Sequence, residues 1–375
     1  MKKSNSRKPS MKSKQIKSKP ERTVGLDLGD RTCYYCLLDS EAELMEEGRI
    51  ETSEASLRKQ FDNDARMRIA LEVGTHSPWI APLLEAMGHE VIVANSRKVR
   101  AISSNENKND REDALLLGRL AAADPKLLHP LKHRSAQSQQ DLGLIRARAA
   151  VVRARTLLVN CLRGLVKSAG YRLPSCSTEA LPEQARQHLP EELQAACLPL
   201  AEQIGKLNQT IAGMDRKVVQ LGNVYPEIGV LRTVPGVGPL VAACYVLTLD
   251  QSSRIRDSRQ AGAYLGLRPR QEQSGDSNPE RGIAKNGNTY LRSLLVQAAH
   301  YTLGRFGPDS ALRRWGLKLA GTSKRNKLAG TSKRNKKRAV VAVARKLAVL
   351  LHRLWRSGQT FVPFPHPLTA AVAAA

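Results

Sequence analysis

Thr23-Val24-Gly25-Leu26-Asp27-Leu28-Gly29 reads as a short apolar strand with one carboxylate embedded in it. An acid inside an apolar strand is costly unless it is paired or holds a cation. Gly29-Asp30 supplies a turn, and Cys33 to Leu38 (CYYCLL) reads as the returning strand, with Gly48 to Thr52 as a third. Arg68 to Val73 reads as a strand carrying Glu72 near its end. Pro78 to Met87 reads as an amphipathic helix, His89 to Ala94 as a strand and Asp110 to Ala123 as a helix. An opening antiparallel meander followed by strand, helix, strand and helix predicts a mixed α/β sheet over 23–130.

Outside this block the character changes. Residues 1–22 are Lys/Ser-rich and read as a disordered basic arm. Ser135 to Lys167 is a long, Pro-free helical stretch. Leu193, Cys197, Leu200, Ile204, Leu207, Ile211, Met214, Val218 and Leu221 recur at alternating steps of four and three, a heptad seam. With a Pro-containing loop at 172–190 between them, these predict an antiparallel coiled-coil hairpin over 131–224. An ordinary helical bundle satisfies the same pattern. A mostly helical third region is expected over 225–357, and 358–375 as a flexible Pro/Ala-rich tail. The nonapeptide LAGTSKRNK occurs twice in tandem, at 319–327 and 328–336. Read through as one helix, nine extra residues turn the register by half a turn; looped out, they change little.

The 375 residues carry 60 Lys+Arg against 34 Asp+Glu, a net charge of +26, which points to a polyanionic partner, nucleic acid first. The excess is uneven: residues 23–113 hold 11 basic and 18 acidic side chains. Acids beside a phosphate backbone repel it unless a cation intervenes; acids on an outer face serve only solubility. Six scattered cysteines exclude a disulfide scaffold and fit a reducing cytoplasm. No apolar run reaches membrane-span length, and the basic start lacks the apolar core of a secretory signal.

Four acids stand out. Asp27 lies within a strand and Glu72 near the end of another. Asp110 and Asp113 are three apart at a helix start and share one face. Together they form an all-oxygen donor set suited to Mg²⁺, though Asp110 and Asp113 alone could simply charge a helix N-terminus. Thr233-Val234-Pro235-Gly236-Val237-Gly238-Pro239 has the helix-hairpin-helix pattern, in which backbone N–H groups at Gly236 and Gly238 grip a phosphate; a plain tight turn is the rival reading. Ser274 precedes a glycine in a loop flanked by Arg268, Arg270, Arg281, Lys285 and Arg292, phosphate-binding cations around a hydroxyl. Spacing by itself leaves it an ordinary loop serine. Asn288 is placed to cap the helix that follows. Cys33 and Cys36, on opposite faces of a strand, read as structural.

These motifs in this order, VGLDLG, ALEVGTHSPW and KNDREDA in front and VPGVGP, GLRPRQEQSGD and GIAKNGNTYLR behind, resemble the DEDD transposases of the insertion sequence one hundred and ten family, relatives of the pilin-gene invertase. The resemblance spans roughly 23–357. It implies a RuvC-like, ribonuclease-H-like N-terminal domain in which Asp27, Glu72, Asp110 and Asp113 hold Mg²⁺. It further implies a C-terminal domain whose Ser274 forms a covalent phosphoserine link to DNA, and sites shared across a dimer or tetramer. A noncoding bridge RNA would pair with donor and target DNA, delegating sequence choice to base pairing. The rivals are a RuvC-like nuclease hydrolysing with activated water and a non-catalytic nucleic-acid scaffold.

Overall fold

A computed structural model describes residues 21–62, 65–95, 98–99, 109–270, 282–321 and 333–365. The chain divides into two compact units, Met1–Arg134 and Ser135–Ala375. The basic arm through residue 20, Ser274, Arg281, most of the duplicated nonapeptides and the last ten residues lie outside the described set.

The first unit is a five-stranded sheet of order β3-β2-β1-β4-β5. Its strands are β1 (Thr23–Leu28), β2 (Thr32–Leu38), β3 (Leu44–Glu51), β4 (Arg68–Glu72) and β5 (Glu90–Ala94). β1, β2 and β3 pair antiparallel, and β4 and β5 extend the sheet in parallel with β1. The expected mixed sheet is therefore present. β3 starts four residues before its expected position, because the exposed, acid-rich Leu44–Glu47 gives no alternating apolar signal. The reading also passed over α1 (Glu54–Phe61), whose burial rests on Leu57 and Phe61 alone. α2 (Ser77–Ala86) and α3 (Asp110–Ala123) stand close to expectation.

Alternation along the strands sorts the two faces. Val24, Leu26, Ile69 and Leu71 pack with Leu57, Phe61, Ile80 and Leu84 of α1 and α2. Ala70, Ile92 and Ala94 pack with Leu117 and Ala121 of α3 on the other side. Cys33 joins the first face, whereas Cys36 donates to the Arg111 carbonyl of α3, so the pair is split between the faces as the strand period requires.

In the second unit, α4 (Ala136–Ser168) and α6 (Glu191–Val224) lie antiparallel. Arg148 pairs with Asp215 and Arg155 bonds Asn208, so numbers rise on one helix as they fall on the other. Of the expected seam, Cys197, Ile204, Ile211, Val218 and Leu221 are buried. α6 runs through Pro199. The connection is not loop throughout, since α5 (Leu181–His188) forms with Pro182 in its first turn, a position that needs no N–H donor.

The remainder is helical: α7 (Glu227–Arg232), α8 (Pro239–Leu249), α9 (Ala261–Tyr264), α10 (Thr289–Leu303), α11 (Ala311–Leu319) and α12 (Lys333–Ser357). α8 is the central helix, buried without a break from Ala242 to Leu249. Its Tyr245 hydroxyl donates to the Ala348 carbonyl of α12 at 2.6 Å. Of the nonapeptide pair, Leu319 ends α11 and Gly321 follows at φ +80°, while Lys333–Lys336 of the second copy opens α12.

Candidate active site

The front site is built from the carboxyl ends of two parallel strands. The pairing of β1 with β4 runs to Leu26 opposite Leu71, and the next residues are Asp27 and Glu72. Both belong to the face that packs on α3, as Gly25 and Ala70 do. A methyl group on Gly25 would overlap the Ala114 carbonyl and stand 2.5 Å from the Gly118 nitrogen, so helix and strand touch through backbone. At the far end of α3, Arg68 of β4 donates to the Ala121 carbonyl at 3.1 Å and pairs with Glu90 at 3.2 Å. α3 thus runs back along β1 and β4, and its first turn arrives beside Asp27 and Glu72.

On α3 the sheet-facing positions Asp113, Ala114, Leu117, Gly118 and Ala121 are all buried, at helical steps. Asp110 continues that face one step toward the N-terminus, and the Asn109 side chain caps the helix by accepting from the Arg111 N–H at 3.1 Å. Both acids stand in the first turn, at the positive end of the helix dipole.

All four sequence-nominated carboxylates meet electrostatically. Burial raises Asp27 first, then Asp110, Asp113 and Glu72 in turn; together they push it from 3.8 up to about 6, against one backbone hydrogen bond at Leu28. An acid so placed carries negative charge that its surroundings do not offset. As donors, four carboxylate oxygens suit a hard divalent cation. In the present side-chain arrangement, no three His, Cys, Asp or Glu among the described residues are drawn in closely enough to hold a metal ion. The chemistry of the donor set fits a divalent ion, and the side chains would have to draw together around it.

Sequence reading missed a neighbour. Tyr34 stands directly across the β1–β2 ladder from Asp27. Burial raises its hydroxyl pKa, with the Glu47 charge adding and Arg111 opposing. Arg111 itself pairs with Glu47 at 2.8 Å. Only the strand register reveals Tyr34, because its spacing from Asp27 in sequence says nothing.

In the second unit, the two rear motifs cross at a glycine pair. Gly266 (φ +67°) and Gly287 (φ +73°) both use the left-handed region, and a side chain on either would strike the opposing strand's backbone. The Lys285 N–H donates to the Gly266 carbonyl at 3.1 Å. Beyond it, Ala284 donates to the Arg268 carbonyl and Arg270 to the Gly282 carbonyl, each at 2.9 Å. These bonds make a stem whose ends lead into residues 271–281, which contain Ser274 and Arg281. Arg268, Arg270 and Lys285 are exposed around the stem.

Arg292 departs from expectation. It is 8% exposed, and its guanidinium donates to the carbonyls of Leu265 (3.0 Å) and Asn286 (2.7 Å) and to the Thr289 hydroxyl (3.1 Å). Burial holds its pKa below the usual arginine value. In this conformation it braces the glycine crossing rather than facing a strand. Asn288 caps α10 as expected, accepting from the Leu291 N–H at 3.0 Å. Gly236 (φ +86°) turns the chain against Ala298 and Tyr301 of α10. Gly238 is exposed, and no side chain caps the N-terminus of α8 that it precedes.

Two family models match the chain. Residues 24–170 match a DEDD transposase model of IS110 type, described as "Transposase", and residues 229–314 match the "Transposase IS116/IS110/IS902 family". The chain belongs to the IS110-type transposases. It is 28% identical over 283 residues to a probable family 20 transposase of Pseudomonas aeruginosa, covering 74% of this chain and 82% of that one. The transposase for insertion sequence element IS1111A of Coxiella burnetii is 26% identical over 68% of both chains. The pilin gene-inverting protein of Moraxella bovis is 24% identical over 80% of this chain and 83% of its own length. This IS110-type transposase is thus a DNA-recombining enzyme, and its DEDD domain suggests divalent-metal dependence. No described helix is long and apolar enough to cross a membrane.

Proposed function

We propose that this transposase cuts and rejoins the DNA of an insertion sequence through Ser274, with Mg²⁺ held by Asp27, Glu72, Asp110 and Asp113. The observation that carries the reading is the convergence of those four acids, from two strands and one helix, on a shared electrostatic environment around Asp27. Strand order β3-β2-β1-β4-β5, with α3 packed on one face, supports a ribonuclease-H-like assignment for the first unit. When bound, the cation would offset charge on the scissile phosphate and lower the pKa of an attacking hydroxyl.

The chain's own groups do the rest. The Ser274 hydroxyl oxygen attacks phosphorus and gives its proton to a base. The phosphorus–oxygen bond to the departing DNA end breaks, and that end's oxygen takes up a proton and leaves as a free hydroxyl. Rejoining reverses the step: a DNA hydroxyl displaces the serine oxygen, so the bond energy is conserved without a nucleotide cofactor. Arg268, Arg270, Arg281 and Lys285 steady the strand near Ser274, and the α8 N-terminus at Gly236 and Gly238 grips a further phosphate in the helix-hairpin-helix manner. Arg292 supports the stem from within.

Charge and kinship support the remaining parts of the reading: donor and target DNA as substrates, a noncoding bridge RNA as guide, a cytoplasmic setting at the nucleoid, and a dimer or tetramer sharing sites through the coiled-coil hairpin. The test compares Ser274→Ala with Asp27→Asn in a recombination assay on the element's own ends. Both should lose recombination by at least a thousandfold, and Ser274→Ala should still bind the divalent ion. Cleavage surviving Ser274→Ala would favour activated water, and recombination surviving Asp27→Asn would remove the metal reading.

A further inference from the structure

The second unit carries a groove of about 1240 Å³ whose charge is one-sided. Arg334, Lys337, Arg338, Arg345, Lys346 and Arg353 of α12 line it, joined by Arg259, and all seven are exposed. No aspartate or glutamate is among its described lining residues. From Arg334 to Arg353 this cationic side extends about 28 Å along the helix. The floor is apolar, with Leu312 and Trp315 of α11 and Val341 and Leu350 of α12, and Phe361 closes one side. The Lys346 ammonium lies 3.7 Å from the centre of the Trp315 ring, placing a cation and an aromatic surface side by side.

Two further observations define the occupant. Pro269, Gly282 and Ile283 form part of the wall, and Pro269 bridges to Ile283 at the stem that leads into residues 271–281. The groove therefore borders the stem residues on either side of 271–281, the stretch of sequence that holds Ser274. Among the described lining residues, Asn335 is the one whose side chain offers an acceptor oxygen, so these side chains have little with which to select a ribose 2′-hydroxyl.

We infer that this groove binds a single strand of DNA, its phosphates on the α12 cations and its bases over the apolar floor, leading the unpaired strand to Ser274. Duplex DNA turns its bases inward and offers an apolar floor nothing to cover, whereas an unpaired strand presents both phosphates and base faces. The inference rests on the serine reading for its direction, but the groove is tested without it.

The experiment is fluorescence anisotropy of the full chain with a labelled twelve-nucleotide oligothymidylate across a salt series. Arg338→Ala/Arg345→Ala/Arg353→Ala should weaken binding at least tenfold and shrink the salt slope by about 2, as expected for three lost phosphate contacts on a single strand. The matching triple lysine variant should bind within about threefold of wild type, which separates lost charge from lost folding. A duplex of the same length should bind more weakly and lose less in the alanine triple. Unchanged oligothymidylate binding in that triple overturns the inference, as does tenfold tighter binding of the duplex or of oligouridylate. Ser274→Ala should bind like wild type. If that variant still recombines while the alanine triple loses single-strand binding, the serine reading fails and the groove stands.

Discussion

Gly25 of β1 and Gly118 of α3 pass backbone to backbone, with a Cβ on Gly25 only 2.5 Å from the Gly118 nitrogen and one on Gly118 only 3.1 Å from the Gly25 nitrogen. That approach sets the height of α3 above the sheet and carries Asp110 and Asp113 to the ends of β1 and β4. Gly25→Ala must push the helix away. We expect it to destabilise the first unit by about 3 kcal/mol and to abolish recombination, measured by calorimetry and by the recombination assay.

Asp27 is held at a cost that its neutral isostere avoids. Its carboxyl is raised to about 6 by burial and by three neighbouring acids. Partial exposure screens this, so Asp27→Asn should stabilise the chelator-treated protein at pH 7.5 by about 1–2 kcal/mol while removing activity. Adding Mg²⁺ should raise the wild-type melting temperature more than the variant's. A variant that melts lower than wild type in chelator would contradict the crowding of charge around Asp27.

Asp250 behaves in the opposite sense. It terminates α8 at φ +67°, accepts from the Ser135 hydroxyl at 2.7 Å and pairs with Arg254 at 3.2 Å. Burial works to raise its carboxyl, but hydrogen bonds from Ser135 and Ser138 and the Arg254 charge hold it below 3.8. A depressed folded value means the contribution is complete above 3.8 and is lost as pH falls through the folded value. Asp250→Asn should therefore lower stability at pH 7 and flatten the acid limb of the second unit's melting curve. An acid limb as steep as wild type would show that Asp250 does not contribute to it.

Arg292→Ala leaves the Leu265 and Asn286 carbonyls without their donor, and about 2–3 kcal/mol of stability should go with it. Lys285→Ala, at an exposed position, should leave melting nearly unchanged and weaken DNA binding. Equal melting temperatures for the two variants would remove the distinction.

Much of the site was legible in the sequence because it broke local rules. An acid in an apolar strand, another at a strand end and two on one helix face do not arise from packing needs, and Asp110, Asp113 and Glu72 all act electrostatically on Asp27. The glycines of the rear motifs were legible as motif, but their reason, two left-handed turns crossing through Gly266 and Gly287, needed the fold. The burial of Arg292 was not legible because a basic residue in a basic loop looks solvent-facing, whereas it donates inward to the Leu265 and Asn286 carbonyls. α1 and α5 escaped notice because each is a short helix of eight residues. Ser53 before α1 was a cap signal available to the reading: its hydroxyl accepts from the Ser56 N–H at 3.2 Å. Tyr34 could not be found without the β1–β2 register.

The most direct measurement is mass spectrometry of the protein after incubation with its element's DNA ends and Mg²⁺, denatured before rejoining can occur. The account predicts a nucleotide adduct on the peptide containing Ser274, absent in Asp27→Asn and in Ser274→Ala. Cut DNA with no adduct on any peptide, at equal yield in wild type and Ser274→Ala, would contradict it.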